Sequence, residues 1–208
     1  MEKFISQQSR WLAQGAGLNS TQEEIIKYSI TVLSTTVFGY LAISLVGMLI
    51  GFPVLSLVAV FSTSLLRMFT GGAHASTPLR CVLIGAVIFP ALGWISSFIP
   101  LYSLAYLFIL TVIAGTLLIG QYAPADTPGK PIESKIKRRT LKMISFSLLY
   151  IWTGFMWYLL AQGKITSFFT ASVLGILWQV FSITPWGYRI LETFEAFINL
   201  IVKNTTSK

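Results

Sequence analysis

Cysteine and histidine each occur once in this chain of 208 residues, and the two lie close together. They are His74 and Cys81, in the segment Arg67-Met-Phe-Thr-Gly-Gly-Ala-His-Ala-Ser-Thr-Pro-Leu-Arg-Cys81. An imidazole can take the proton of a thiol and later return it to a leaving group. The pair is therefore the smallest side-chain set that can carry out covalent acyl chemistry near neutral pH.

The backbone between His74 and Cys81 must bend if the two side chains are to meet. A straight helix over seven residues would separate them by about 10 Å, whereas proton transfer needs roughly 3 Å. The sequence supplies breaks on both sides, with Gly71 and Gly72 before the histidine and Pro78 after it.

The second break predicts how the thiol is presented. Pro78 is typical of the first position of a helix, and Thr77 can cap that helix. Cys81 would then lie in the first helical turn with Arg67 and Arg80 nearby, and both the helix dipole and the two cations favour a thiolate.

Other interpretations of these residues stay open. A lone cysteine in a membrane protein is often an inert small apolar group, and a lone histidine at the end of a span is often a hydrogen-bonded interfacial residue. A zinc site needs three or four ligands, and only Asp126 or Glu133 could join His74 and Cys81, so no metal site is predicted. A serine or threonine nucleophile is not excluded, but none of them lies in a recognisable motif.

The rest of the composition predicts an all-α integral membrane protein, since 54% of the residues are hydrophobic and only 11% are charged. A helix needs about 20 apolar residues to cross a bilayer. Breaks near Gly47–Pro53 and Pro100 divide two long uncharged stretches. The predicted spans are free of ionisable side chains, which argues against ion-coupled transport. Six spans are predicted, at 28–48, 50–66, 81–99, 101–122, 143–162 and 165–184.

Both ends of the chain are amphipathic. Phe4, Trp11, Leu18 and Ile25 recur every seven residues between polar ones, which predicts a helix in the membrane interface over residues 1–27. The C-terminal residues show a similar apolar face. The prediction is one membrane domain, 1–208, divided into an interfacial helix (1–27), spans 1 and 2 (28–66), a cytoplasmic catalytic segment (67–80), spans 3 and 4 (81–122), a basic cytoplasmic loop (123–142), spans 5 and 6 (143–184) and a cytoplasmic tail (185–208).

The basic residues predict the orientation of the chain in a cell membrane. With both termini in the cytoplasm, every Lys and Arg except Lys164 lies on the cytoplasmic side. The His74–Cys81 segment is then cytoplasmic, where thiols stay reduced. The net charge of +8 mainly reflects this topology and interaction with membrane lipids, so no nucleic-acid partner is predicted.

The loop between spans 4 and 5 is rich in positive charge, with six of the 15 Lys and Arg residues of the chain. The simpler interpretation is an anchor at an anionic membrane surface, and the functional one is a docking site for an acidic peptide. Its basic residues are Lys130, Lys135, Lys137, Arg138, Arg139 and Lys142.

At the level of motifs, the chain resembles the accessory gene regulator protein B family of membrane cysteine endopeptidases. The resemblance is carried by the Arg67-x3-Gly71-Gly72-x-His74-x6-Cys81 pattern, followed by an Ala123-Pro124-x5-Lys130-Pro131 turn in a six-span protein.

The resemblance implies a function. Such enzymes cut the C-terminal tail from a quorum-sensing pro-peptide, retain the new C-terminus as a thioester and pass it to an internal thiol to give a thiolactone. Cys81 would be the nucleophile and His74 the general base and acid. Arg67, Gly71 and Gly72 would shape the site, and backbone N–H groups around the glycines or at residues 80 and 81 would serve as oxyanion donors. Lys130 would guide the substrate or stabilise the turn.

The resemblance also implies partners, and it leaves one alternative open. The pro-peptide would have an amphipathic leader and an acidic tail, the enzyme would form a homodimer, and it would need no cofactor. Asp126 is the candidate for orienting His74. The alternative is a non-enzymatic peptide exporter or channel, in which His74 and Cys81 have no catalytic role.

Overall fold

The computed structural model describes residues 2–125, 134–163 and 166–206. Within these ranges the regular elements are α-helices, as the sequence predicts, and the only strand-like feature is an isolated β-bridge. In chain order the helices are α1 (Glu2–Gly15), α2 (Ser20–Leu49), α3 (Pro53–Thr70), α4 (Pro78–Ser96), α5 (Leu101–Tyr122), α6 (Lys135–Ala161), α7 (Ser167–Ser182) and α8 (Pro185–Thr206).

Five of the described helices, α2 to α6, are long and apolar enough to cross a membrane. A sixth span exists if α7 and α8 are counted as one broken element, because they meet at a bend of 92°. The chain is therefore a multi-pass α-helical membrane protein. The sixth span predicted at 165–184 corresponds to α7, which has 16 residues and is shorter than the others.

The two predicted breaks within the long apolar stretches are confirmed. Between α2 and α3 the chain turns through Gly51, whose φ of 86° suits glycine, and Pro53 occupies the first turn of α3. Between α4 and α5 the chain turns before Pro100, which precedes the first residue of α5. Proline lacks a backbone N–H, so it is tolerated where a helix begins.

The N-terminal region differs from the single helix expected over residues 1–27. Helix α1 ends at Gly15, and α2 begins at Ser20 after the N-cap residue Asn19. The Asn19 side chain accepts the Gln22 N–H, and the Gln22 side chain accepts the Asn19 N–H, each at 2.9 Å. This capping box starts a new helix, so residues 20–27 extend the first span instead of belonging to the interfacial helix.

Helix α7 lies at the centre of the packing, in contact with α3, α4, α5 and α8. It approaches α3 so closely that a Cβ on Gly175 would lie 2.3 Å from the Ala59 carbonyl oxygen. The Thr63 hydroxyl donates to the Gly175 carbonyl at 2.7 Å, and the hydroxyls of Ser62 and Ser172 lie 2.8 Å apart. Small residues and interhelical hydrogen bonds of this kind hold membrane helices together, and this pair ends beside the segment that carries His74.

A sharp turn sends α8 away from the axis of α7. A Cβ on Gly187 would lie 2.6 Å from the Phe181 carbonyl oxygen, so the turn requires a glycine. Helix α8 exposes large apolar side chains on the surface of the chain, which fits the predicted interfacial position of the C-terminal segment. These side chains are Trp186, Ile190, Phe194, Phe197 and Leu200.

Candidate active site

The predicted break between His74 and Cys81 is confirmed. Helix α3 ends at Thr70, α4 begins at Pro78, and residues 71–77 connect them. Thr77 is the N-cap of α4, and its hydroxyl accepts the Arg80 N–H at 3.3 Å. Cys81 therefore lies in the first turn of α4 and His74 in the non-helical connection.

Two glycines fix the start of this connection. Gly71 has a φ of 68° and Gly72 a φ of 135°, a region that side chains disfavour. Space is limited as well, since a Cβ on Gly71 would lie 2.3 Å from the Ala125 carbonyl oxygen, and one on Gly72 would lie 2.9 Å from the Ser182 hydroxyl. The chain can pass between α7 and residue 125 only because both positions are glycine.

Backbone hydrogen bonds hold the connection on both sides. The Ala125 N–H donates to the Thr70 carbonyl at 2.8 Å, and the Ala73 N–H donates to the Ser182 carbonyl at 3.1 Å. The residue before His74 is thus attached to the C-terminal end of α7, which is itself buried in the helix bundle.

Arg67, in the last turn of α3, reaches into the same place. Its guanidinium donates to the carbonyl of Ala73, to Oε1 of Gln179 at 3.4 Å and to the hydroxyl of Ser182 at 3.5 Å. It also interacts electrostatically with both His74 and Cys81. Of the predicted site residues, His74 and Cys81 therefore both lie within electrostatic range of the Arg67 guanidinium.

Gln179 was not identified from the sequence. Its side chain is fully buried, and its Nε2 donates to the Thr70 hydroxyl and to the Gly71 carbonyl, each at 2.8 Å. The sequence did contain a signal for it, since Gln179 is an amide within an uncharged, apolar stretch. A polar group in a membrane span is costly unless it has hydrogen-bond partners. Ser182 and Tyr188, which also interact with Arg67, carry no comparable signal in the sequence.

His74 is exposed at the surface of the chain. Protein atoms on the inner side of the ring nevertheless exclude part of its solvent. Desolvation of the ring and, second, the positive charge of Arg67 lower the pKa of His74 from 6.5 to about 4. At neutral pH the ring is therefore uncharged, with a free lone pair that can accept a proton.

Cys81 is half-buried and its thiol is free. Among the hydrogen bonds of the described residues, none joins the Cys81 thiol to the His74 ring. Both residues instead interact electrostatically with Arg67. Catalytic hydrogen bonds are often long in the absence of substrate. The N–H groups of Arg80 and Cys81 both bond to Thr77, so they do not serve as the free oxyanion donors expected there.

Arg80 faces α8 rather than the thiol. Its guanidinium donates to the Ser76 hydroxyl at 3.0 Å and to Oδ1 of Asn199 at 2.5 Å, and it lies 4.0 Å from the Glu195 carboxylate. Glu195 also accepts the backbone N–H of Ser76. These contacts of Arg80 and Glu195 link the His74–Cys81 connection to the C-terminal helix.

The predicted basic loop is partly helical. Lys130, the candidate for guiding the substrate, lies outside the described residues. Asp126, the candidate for orienting His74, and Glu133 lie outside them as well. Four of the predicted substrate-binding residues lie in the first two turns of α6 and are exposed. They are Lys135, Lys137, Arg138 and Arg139.

Arg138, within this cluster, and Lys142, which follows it on α6, donate to backbone carbonyls. Arg138 donates to the Pro124 carbonyl at 3.5 Å, and Lys142 donates to the Gly120 carbonyl at 2.7 Å in the last turn of α5. A cation at a helix C-terminus stabilises that end. Across the described part of the chain, no group of three or more Cys, His, Asp or Glu residues is arranged to hold a metal ion.

These features define a multi-pass α-helical membrane protein that gathers its only cysteine, its only histidine and an arginine at the ends of α3, α4 and α7. The sequence model of the Accessory gene regulator B family matches residues 5–183. The chain belongs to that family.

Individual relatives agree with this assignment. The chain is 26% identical to an AgrB-like protein of Clostridium perfringens strain SM101 over 213 residues, covering 97% of this chain and 98% of the relative. It is 25% identical over 195 residues to AgrB-like protein 2 of C. perfringens strain 13, covering 88% and 91%. It is 27% identical over 175 residues to an AgrB-like protein of Halalkalibacterium halodurans, covering 84% and 82%. No solved structure matches the chain significantly.

Proposed function

We propose that this protein is a membrane cysteine endopeptidase that removes the C-terminal tail of a quorum-sensing pro-peptide and promotes cyclisation of the product. Family membership supports a role in accessory gene regulator peptide processing. The observation that carries the chemistry is that the Arg67 guanidinium donates to the carbonyl of Ala73, the residue before His74, and interacts electrostatically with both His74 and Cys81. A single cation beside the only thiol and the only imidazole is an arrangement that can stabilise a thiolate while it keeps the base neutral.

The first half of the reaction forms an acyl-enzyme. His74 takes the proton of the Cys81 thiol as the sulfur attacks the scissile carbonyl. The guanidinium of Arg67 stabilises the negative charge that passes from the sulfur to the carbonyl oxygen. The C–N bond then breaks, His74 returns the proton to the leaving amine, and the trimmed peptide remains on Cys81 as a thioester.

The second half transfers the acyl group within the peptide. An internal thiol of the substrate gives its proton to His74 and attacks the thioester carbonyl, and the Cys81 sulfur leaves and recovers the proton. A histidine with a pKa lowered to about 4 is a strong acid once protonated, so it releases its proton readily to the amine and to the sulfur. The thioester retains the acyl energy that hydrolysis would lose, provided that water reaches it slowly.

The charge distribution suits a substrate with an acidic tail. Lys135, Lys137 and Arg139 are exposed at the start of α6, where the helix dipole is itself positive. That unfavourable accumulation of charge is relieved by an anion, which we propose to be the tail of the pro-peptide. We also propose cytoplasmic termini and a homodimer for this enzyme.

The proposal is tested with the purified protein in proteoliposomes and a synthetic pro-peptide. We expect Cys81→Ala and His74→Ala to abolish cleavage while membrane insertion is unchanged, because each removes a reacting group. Ser172→Ala, which alters a buried hydroxyl elsewhere in the bundle, is the matched control. Full cleavage by Cys81→Ala would leave the alternative, an exporter or channel in which these residues have no chemical role.

A substrate whose internal thiol is replaced by alanine distinguishes cyclisation from hydrolysis. Such a peptide cannot complete the exchange, so it should accumulate as an adduct of the trimmed peptide at Cys81, detected by mass spectrometry and removed by neutral hydroxylamine. Conversion to a free linear acid without any adduct at short times would reduce the proposal to a hydrolytic peptidase.

A further inference from the structure

Gln179 lies where three parts of the candidate site meet. It is on α7, fully buried, yet it contacts Arg67 and Thr70 of α3 and the carbonyl of Gly71 in the connection. Each half of the amide has a distinct task. Oε1 accepts from the guanidinium at 3.4 Å, and Nε2 donates to the Thr70 hydroxyl and the Gly71 carbonyl at 2.8 Å each.

This arrangement fixes Arg67 and the backbone before His74 relative to one another. Arg67 donates to the Ala73 carbonyl on one side and to Gln179 on the other, so the guanidinium has little freedom to rotate. The Ser182 hydroxyl supports the same amide, since it lies 3.3 Å from Oε1 of Gln179. A long arginine side chain would otherwise sample many rotamers.

The amide also differs from the other buried polar groups of the α3–α7 interface. The hydroxyls of Ser62 and Ser172 bond to each other, and Ser172 also accepts from the Trp152 indole. Thr63 donates to backbone carbonyls. None of these hydrogen bonds involves Arg67, His74 or Cys81. Among the described residues of α7, Gln179 and Ser182 are buried polar side chains that accept from Arg67. Gln179 in addition donates to the Thr70 hydroxyl and to the Gly71 carbonyl. A buried amide is costly unless it is hydrogen-bonded, and the bonds of Gln179 all lead to Arg67, Ser182 and the end of α3, which indicates a role in holding this part of the site.

We infer that Gln179 is a positioning residue for the proposed reaction: it holds the guanidinium of Arg67 beside Cys81 and His74 and ties that charge to the Gly71–Ala73 backbone. The inference deepens the proposed function and rests on it. Besides its bonds to Gln179 and Ser182, the guanidinium interacts electrostatically with Cys81 on α4, with Tyr188 on α8 and with His74 in the connection. When Gln179 is removed, the charge should move away from the thiol.

The test uses the reactivity of the thiol, which does not require a known substrate. Cys81 is the only cysteine, so the alkylation rate of the full-length protein with a membrane-permeant reagent reports on that site alone. We expect Gln179→Met, which keeps the volume and removes the hydrogen bonds, to slow alkylation by about threefold to tenfold, because Arg67 is no longer held beside the sulfur. Gln179→Glu keeps the shape and offsets the charge of Arg67, so it should slow alkylation in the same direction.

Ser172→Ala is the matched control, since it removes a buried hydrogen bond from the same helix pair without a contact to Arg67. Thermal unfolding of each variant separates loss of structure from loss of positioning. Wild-type alkylation in the Gln179→Met variant would overturn the inference, as would equal slowing in Ser172→Ala and Gln179→Met. If alkylation responds as expected but no pro-peptide is cleaved by the wild-type protein, the proposed function fails while the positioning role stands.

Discussion

Glu195, on the C-terminal helix α8, accepts the backbone N–H of Ser76, in the middle of the connection that separates His74 from Cys81. The same carboxylate lies 4.0 Å from Arg80, the residue next to Cys81. An amphipathic helix with an exposed apolar face is therefore joined directly to the backbone between the proposed base and nucleophile. Helix α8 and the geometry of the candidate site are therefore linked through this contact.

The link between α8 and the connection can be tested by charge reversal. Glu195→Lys places a cation against Arg80, so we expect pro-peptide cleavage to fall several-fold. The double variant Arg80→Glu with Glu195→Arg restores opposite charges and should recover part of the activity, which a double-mutant cycle measures. Glu192→Lys, at an exposed position of the same helix, is the control. Equal activity of Glu195→Lys and Glu192→Lys would show that the contact has no bearing on the site.

Sequence reasoning predicted the local geometry of the site and missed its distant partners. Thr77 as N-cap, Pro78 as the start of α4 and Cys81 in the first turn follow from short-range steric and hydrogen-bonding rules. Gln179 and Glu195 lie more than 90 residues further along the chain, and no local rule indicates which distant side chains pack against the connection.

Arg80 shows a second limit. It is adjacent to Cys81 in sequence, but neighbouring residues in a helix point about 100° apart. Its side chain therefore reaches α8 while Arg67, fourteen positions before Cys81 in the sequence, supplies the cation near the thiol. Proximity along the chain was a poor guide to proximity in space at this site.

The titration of His74 provides a direct measurement, because this is the only histidine. Its pKa is lowered to about 4 by desolvation and by Arg67, so the ring should stay neutral as the pH falls from 7 to 5 and become protonated only near pH 4. In the unfolded chain protonation should occur near the ordinary value of about 6.5. The ring signal in an NMR titration in detergent micelles gives the midpoint. His74 should therefore remain available as a neutral base for cleavage down to about pH 5. A midpoint near 6.5 in the folded protein would contradict the described environment of the ring.

Gly71 can be tested by adding a single methyl group. Gly71→Ala must adopt a φ of 68° and place its Cβ against the Ala125 carbonyl. We expect it to destabilise the fold by about 1–3 kcal/mol and to reduce cleavage strongly, as measured by thermal unfolding and peptide turnover. Gly154→Ala is the matched control, because a Cβ there meets nothing within 4 Å and alanine favours the helix. If both variants unfold at the wild-type temperature, the close passage at Gly71 is incorrect.

The predicted orientation in the membrane is tested by thiol labelling in cells. A reagent that cannot cross membranes should leave Cys81 unlabelled in intact cells and label it in inverted vesicles. In a Cys81→Ala background, Gln162→Cys at the exposed end of α6 should behave in the opposite way. Gln162 is preferred to Gly163, whose φ of 67° disfavours a side chain. Labelling of Cys81 from outside intact cells would reverse the predicted topology.

The exposed cations at the start of α6 can be separated from those with structural partners. Neutralising Lys135, Lys137 and Arg139 together to glutamine should raise the KM for a pro-peptide with an acidic tail and leave kcat nearly unchanged, because such charges mainly steer association. The effect should shrink as salt shortens the Debye length below about 8 Å. Lys142→Gln removes one positive charge from the same helix, but Lys142 bonds to the Gly120 carbonyl at 2.7 Å, so this control should lower thermal stability and keep the KM. An unchanged KM in the triple variant, with insertion intact, would assign these cations to membrane anchoring alone.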